Sequence, residues 1–436
     1  MPYWDPIETV NREEIISLQN TRLREVVRAA VEQSPFYRAR FKSAGVNADS
    51  FKGLDDLHRL PFTEPADLLR EPSSILLKGK KIVAIRCSGG TSDTPKIIFR
   101  SEQDLNISAD IAARMFFCNG VRNTDTVLLL QPFGIWGIGS IAFDALLRIG
   151  TTIIPMGIGI PEAFMVSVIK HMPPSVIYTS PRYATMLTRN LESMGLDCRS
   201  MAIRLFMLAG EGFGPSTREF LAQKWGADTF NIYGSEETDG LGAECQAHSG
   251  IHVWEDQFVF EFLNPDTLEP ALPGQIAELV ITTLTKDAYP LIRYRIGDLV
   301  EVFPGACECG RTHTRLVVRG RTTDTLVLVD GTKIYGYQIA RALAPWADSI
   351  ESYQVICEQA DNGGDALKVL VVSRDKDFNA EECSKISEGL KNLSMAFATV
   401  VAGGGATIDV TNASASELVV TSRGKTPLFV DRRPKP

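Results

Sequence analysis

Thr126-Val127-Leu128-Leu129-Leu130, Thr152-Ile153-Ile154-Pro155, Ser175-Val176-Ile177-Tyr178, Arg204-Leu205-Phe206-Met207-Leu208-Ala209 and Asp228-Thr229-Phe230-Asn231-Ile232-Tyr233 decide the fold. Each is a short apolar run, and amphipathic stretches of helix length separate them. Runs this short, fenced by segments long enough for crossover helices, predict βαβ units and a largely parallel sheet. Working outward, Lys81–Arg86 adds a strand on the N-terminal side. Before it, Arg12 to Ala30 carries Ile15, Ile16, Leu18, Leu23, Val26 and Val27 at helical spacing. On the C-terminal side, Glu278–Thr283 and Leu299–Phe303 read as strands of a more twisted, barrel-like part.

After Gly320-Arg321 the texture changes. Asp330-Gly331 between two short apolar runs reads as a hairpin turn. A helix, two strands and a second helix follow, and the break at Gly403-Gly404-Gly405 precedes a last strand. The expected class is therefore α/β. A large N-terminal αβ domain of stacked sheets (1–321) carries the barrel-like part, and a small C-terminal α+β domain (322–436) follows.

The chain has 436 residues, and its formal charge is 45 − 53 = −8. That balance argues against a protein built to hold a nucleic-acid backbone. No apolar run approaches the ~18 residues of a membrane span, and Met1-Pro2-Tyr3-Trp4-Asp5-Pro6 lacks the pattern of a secretory signal. The expectation is a cytoplasmic protein without membrane or nucleic-acid partners.

Ser88-Gly89-Gly90-Thr91-Ser92-Asp93-Thr94-Pro95-Lys96 follows one strand and precedes another at Ile97–Phe99. Small residues let backbone N–H groups converge on an anion, hydroxyls add donors and Lys96 adds charge. The Gly-Lys-Ser/Thr ending of a Walker A loop is absent. Eight cysteines in so long a chain do not make a disulfide scaffold. Cys245, Cys307 and Cys309, however, share a 69-residue window with His248, His252 and His313. Three thiolates and an imidazole are the ligand types of a closed, structural zinc site, and Gly305 and Gly310 permit the tight turn around the pair. The residues alone leave open which histidine completes it.

Six ordered motifs resemble those of the adenylate-forming enzymes, the superfamily of acyl-CoA synthetases, adenylation domains and luciferases. They are the loop 88–96, Gly210-Glu211-Gly212, Asn231-Ile232-Tyr233-Gly234-Ser235-Glu236-Glu237, Tyr294-Arg295-Ile296-Gly297-Asp298, Gly320-Arg321-Thr322-Thr323-Asp324 and Gly424-Lys425. Gly250-Ile251-His252-Val253-Trp254-Glu255-Asp256 and the stretch from Glu278 to Arg295 are similar to the phenylacetate–CoA ligase family in particular.

The resemblance implies an ATP-dependent, AMP-forming ligase that adenylates an aryl or aryl-acetic acid and passes the acyl group to coenzyme A. It places ATP on Ser88, Gly89, Gly90, Thr91, Ser92 and Lys96, on Gly210, Glu211 and Gly212, and on Asn231, Ile232, Tyr233, Gly234 and Ser235. Asp298 would accept the ribose hydroxyls, Arg321 would reach nucleotide oxygens, and Glu237 would hold magnesium. Phe133, Gly134, Trp136, Tyr233 and Gly240 would line the acid pocket. Lys425, on a mobile C-terminal lid pivoting at Thr323, would be the catalytic cation. His252 would join Cys245, Cys307 and Cys309 on zinc, and the enzyme would be a homodimer. The resemblance also admits a non-CoA acceptor (an amine, a carrier protein or a deazaflavin cofactor) or a nucleotide-binding protein without turnover. Two residues depart from the family's pattern. Asp93 replaces a loop glycine and Glu236 replaces the Ser or Thr before the glutamate, and both add negative charge where magnesium is expected to offset it.

Overall fold

The computed structural model describes residues 2–88, 95–272, 274–347, 349–374, 376–420 and 426–434. Internal contacts divide the chain into two compact units, Met1–Ile296 with Val300–Val318, and Gly297–Leu299 with Arg319–Pro436.

The first unit opens with the helix Arg12–Gln33, capped by the Asn11 side chain on the Glu14 N–H. A two-stranded hairpin follows, β1 (Ile82–Cys87) against β2 (Ile97–Ser101). The parallel strands are β3 (Thr126–Leu129), β4 (Thr152–Ile154), β5 (Val176–Thr179), β6 (Leu205–Leu208) and β7 (Asp228–Ser235). They pair in the order β4-β3-β5-β6-β7, all parallel. Every residue of β5 and β6 is buried, as befits strands covered by helices on both faces.

At β7 the sheet changes character. It pairs antiparallel with β8 (Asp239–Glu244), which pairs antiparallel with β9 (Ile251–Val253). The same sheet continues through β13 (Arg315–Arg321), β12 (Tyr294–Phe303), β11 (Ile276–Thr283) and β10 (Phe258–Leu263), giving eleven strands. The part expected to be barrel-like therefore does not close among the described residues. β10 and β4 remain the two edges of one open sheet. Short apolar runs report burial, but they carry no information on whether a twisted sheet returns to its first strand.

The second unit contains the hairpin β14 (Thr325–Val327) and β15 (Lys333–Tyr335) around Asp330-Gly331. Gly331 takes φ +90°, a conformation that favours glycine at this turn. Its sheet orders as β18 (Ala406–Asn412), β17 (Asp365–Ser373), β16 (Ile350–Gln359) and β19 (Phe429–Asp431). The helices Gly336–Leu343 and Ala380–Lys391 supply its core with Ile339, Leu343, Ile386 and Leu390, beside Val369 and Phe397. Among the described residues no helix is long and apolar enough to cross a membrane.

Candidate active site and metal cluster

Because β3, β5, β6 and β7 run parallel, their carboxyl ends share one edge, where open α/β sheets bind ligands. Three segments singled out in the sequence emerge there: Phe133–Gly137 after β3, Gly210–Gly212 after β6 and the turn Glu236–Thr238 after β7. The β1–β2 hairpin brings in the ends of the glycine-rich loop. The Ser88 N–H donates to the Lys96 carbonyl at 3.1 Å and closes it at the base. Gly89, Gly90, Thr91, Ser92 and Asp93, like Gly424 and Lys425, lie outside the described residues.

Lys96 Nζ lies 2.5 Å from Glu237 Oε1 and donates to Tyr294 Oη at 3.2 Å; the tyrosine hydroxyl in turn donates to Glu237 Oε1 at 3.3 Å. Burial pushes the Glu237 carboxyl up. The charge and hydrogen bond of Lys96, with hydrogen bonds from its own backbone and Ser235, outweigh that push, and its pKa falls below the ordinary value. The structure thus brings the Glu237 carboxylate and the Lys96 side chain together at the sheet edge.

Beneath the turn lies a buried ionic cluster that sequence reading did not anticipate. Asp239 pairs with Arg86 Nη1 at 3.1 Å, with Arg100 Nε at 3.2 Å and with Lys286 Nζ, and accepts from Ser108 Oγ at 2.6 Å. Burial opposes its charge, but Arg100, Lys286 and Arg86 hold its carboxyl well below the usual range. Arg100 also donates to the carbonyls of Glu236 and Glu237 at 2.9 and 3.0 Å, which fixes the turn that presents both carboxylates. Gly234 is required here, since a Cβ would overlap the Asp239 carbonyl. Only the signal of Arg86 beside the loop and Asp239 beside the turn was available in the sequence.

Glu236 has a different partner from Glu237. Both its oxygens accept from the Gly137 N–H, at 3.0 and 3.1 Å. Burial first, and then Asp239, push its carboxyl up to about 7 against the pull of Arg86 and Arg100.

The other expected residues fall as follows. Tyr233 is buried, whereas Phe133 and Trp136 are each close to half exposed. Gly134 adopts φ +143°, and Gly240 packs so tightly on Met115 that a Cβ would overlap the sulfur. Gly210 takes φ +93°, and Glu211 accepts from the Arg182 N–H at the start of the helix Pro181–Ser193. The Asn231 N–H donates to Glu244, and Ile232 is buried. In the second unit Arg321 Nε lies 3.0 Å from Asp298 Oδ1, and the neighbouring Thr323 is exposed.

Cys245, His252, Cys307 and Cys309 converge, with their ligand atoms all within 4.8 Å of one another. Cys245 Sγ lies 3.6 Å from Cys307 Sγ, and Cys309 Sγ lies 3.4 Å from His252 Nε2. Tetrahedral zinc with Zn–S of about 2.3 Å and Zn–N of about 2.0 Å spaces its ligands by about 3.8 Å (S–S) and about 3.5 Å (S–N). The donor set fits that ion. His252 Nδ1 donates to the His313 carbonyl at 3.2 Å, which turns the Nε2 lone pair towards the sulfurs. Hydrogen bonds from Cys245, and from His252 against the opposing effect of burial, hold the Cys309 thiol strongly down. Of the competing histidines, His248 stacks on Phe230 and contacts Asp228 and Arg218. His313 is buried, with Nδ1 accepting from the Glu255 N–H.

With that geometry in view, the comparisons are specific. The family model of the AMP-binding enzymes matches residues 8–283. Phenylacetate-coenzyme A ligase of Thermus thermophilus is 33% identical over 378 residues, 85% of this chain and 84% of that one. The enzyme of the same name from Aromatoleum evansii is 30% identical over 99% of this chain and 97% of that one. The crystal structure of 2-hydroxyisobutyryl-CoA ligase in complex with 2-HIB-AMP superposes with a TM-score of 0.82, covering 99% of this chain and 92% of that chain at 22% identity. That likeness bears on the fold alone. The chain belongs to the AMP-binding enzyme family and, within it, to the phenylacetate–CoA ligase family.

Proposed function

We propose that this protein is an AMP-forming ligase acting on aryl or aryl-acetic acids. In the first step the acid's carboxylate attacks the α-phosphorus of ATP, giving an acyl-adenylate and pyrophosphate. In the second, the thiol of coenzyme A displaces AMP and leaves a thioester. The observation that carries the reading is the Lys96–Glu237–Tyr294 triad at the carboxyl edge of the sheet, at the base of the glycine-rich loop.

Two anions must meet in the first step, so charge neutralisation and alignment are the main demands. In this reading Lys96 leaves Glu237 for phosphate oxygens, and Glu237 is left to hold magnesium, which neutralises triphosphate charge. Asp298 exchanges Arg321 for the ribose hydroxyls, releasing the guanidinium towards the nucleotide. Gly210–Gly212 and Asn231–Ser235 flank the adenine. Phe133, Trp136 and Tyr233 give an aromatic acid surfaces to stack on. Residues 322–436 form a lid pivoting at Thr323, and it delivers Lys425 to the reacting carboxylate. The four-ligand cluster holds zinc for structure, since a closed set leaves no position for substrate. The reading includes a cytoplasmic homodimer, which sedimentation of the purified chain tests.

The test is a pyrophosphate-exchange assay over a panel of aryl and fatty acids, followed by detection of thioester after adding coenzyme A. Acid-dependent exchange and CoA-dependent thioester are expected. Exchange without thioester would move the protein to a non-CoA acceptor, and no exchange would leave it a nucleotide-binding protein.

A further inference from the structure

Glu236 occupies a position that the reaction does not need filled by a carboxylate. It joins the turn after β7, on which it lies, to the loop after β3, which carries Phe133 and Trp136 and whose Gly137 N–H it accepts from. Gly137 is itself fixed from behind, because a Cβ there would overlap the Arg86 guanidinium.

Its hydrogen bonding is incomplete. A carboxylate offers about four acceptor positions. Among the described residues the Gly137 N–H is the one donor that Glu236 receives, shared between both oxygens. The nearby cations are committed elsewhere. Arg86, Arg100 and Lys286 each pair with Asp239, and among the described residues none forms an ion pair with Glu236. Asp239 adds a second negative charge beside it. An unsubstituted ring laid against Glu236 would strip water from this carboxylate and return nothing. A ring bearing a hydroxyl or amino group would supply the missing donor. Phe133 and Trp136, on the same loop as Gly137 and each close to half exposed, offer the apolar surface for the ring itself.

We propose that Glu236 selects the acid, its carboxylate accepting a hydrogen bond from a hydroxyl or amino substituent, so that the preferred substrate is a polar-substituted aryl acid. This rests on the adenylating reading of the site and deepens it. Glu236 is here a specificity-determining residue; the charge neutralisation at phosphate stays with Lys96 and Glu237.

The experiment measures kcat/KM at alkaline pH, where Glu236, its carboxyl pushed up to about 7, is ionised, for acid-dependent pyrophosphate release with phenylacetate, benzoate and their ring-hydroxylated and ring-amino derivatives. It uses the full chain and the variants Glu236→Ser and Glu236→Gln, with folding of each checked by circular dichroism. Sites built to receive a hydrogen bond reject analogues that lack it far more strongly than apolar pockets reject a missing methylene. At this half-buried carboxylate the wild type should favour its best substituted acid over the parent by at least about tenfold, or about 1.4 kcal/mol. Glu236→Ser should bring that ratio near one, and Glu236→Gln should retain part of it. A wild type that prefers the unsubstituted acid, or a ratio unmoved in Glu236→Ser, would overturn the proposal. So would a change confined to the magnesium requirement, which would make Glu236 a metal ligand. Failure of every acid to release pyrophosphate from a folded protein would instead overturn the adenylating reading, and the selection with it.

Discussion

On the proposed reading of the Cys245–His252–Cys307–Cys309 cluster as a zinc site, removing the metal should cost the larger unit a definite and moderate amount of stability. The perturbation is Cys307→Ser, or prolonged chelation of the purified protein. Cys245 and Cys307 are separated by 62 positions, so a metal bridging them closes a loop of about 60 residues. In the chain-entropy treatment of a cross-link this contributes about 4 kcal/mol. The larger values of about 10–16 kcal/mol belong to peptides that fold only on zinc, whereas this unit has an extensive apolar core of its own. The loss should also be local. Tyr3 Oη donates to the Cys309 carbonyl at 2.9 Å, the Thr312 N–H donates to the Glu8 carbonyl at 3.0 Å, and Arg311 Nε donates to Glu8 Oε2 at 2.6 Å. Loosening 307–313 therefore frees the N-terminal segment. Metal analysis of protein purified without added zinc should give one equivalent per chain. Urea unfolding of Cys307→Ser should show the ~4 kcal/mol deficit, and hydrogen exchange should rise first at Trp4 and Asp5, whose N–H groups donate to Glu8. Zinc well below one equivalent, or a Cys307→Ser variant as stable as wild type, would refute the reasoning.

Four further variants have expected outcomes, the first drawn from the proposed function and the others from the geometry. Lys425→Ala should lower acyl-adenylate formation by about 100-fold or more, the usual scale for removing one preorganised electrostatic group, while ATP binding by calorimetry changes far less; unaltered formation removes this lysine from the reaction. Asp256→Ala should destabilise the fold by about 2 kcal/mol in urea unfolding, because it removes a charged hydrogen bond from buried Arg114, 2.7 Å away, which keeps only the longer pair with Glu8 at 3.4 Å. Burial raises the Asp256 pKa, but Arg114 and His313 outweigh it and the net shift is downward. Its stabilisation is therefore complete above the unfolded value of about 3.9 and is lost as pH falls through the folded one. Asp256→Asn should flatten that acid limb of the stability profile. Gly234→Ala should cost about 1–3 kcal/mol by forcing a methyl into the Asp239 carbonyl, read as a lower urea midpoint.

How much of this was legible in the sequence depends on what each feature requires. The strands β5 and β6 were legible because burial on both faces leaves uninterrupted apolar runs. The cysteine set was legible by residue type, but its histidine was not. His252 and His313 are both buried, and what separates them is the β13–β9 register, with Arg315 opposite His252. That register brings the His313 carbonyl to His252 Nδ1 and leaves His252 Nε2 beside the sulfurs. The barrel-like expectation went astray for a related reason, since pairing partners, unlike strands, are not written into a single run. The ionic cluster was hidden because Arg100 and Asp239 meet only after β2 and the β7–β8 turn are folded side by side.

Glu236 and Glu237 show the limit most clearly. They are the same residue type at consecutive positions; the resemblance gives Glu237 to magnesium and leaves Glu236 only as an added negative charge. The chain leaves β7 at this point and takes the two side chains to different partners. One meets the Lys96 ammonium and is pulled below the ordinary carboxylate pKa; the other meets a single backbone N–H and is pushed above it. A local rule of composition treats them alike, whereas their chemistry is set by partners more than 90 positions away in the chain, at separations of 141 for Lys96 and 99 for Gly137. For that reason the first is proposed for the general charge-handling of the reaction and the second for the choice of acid.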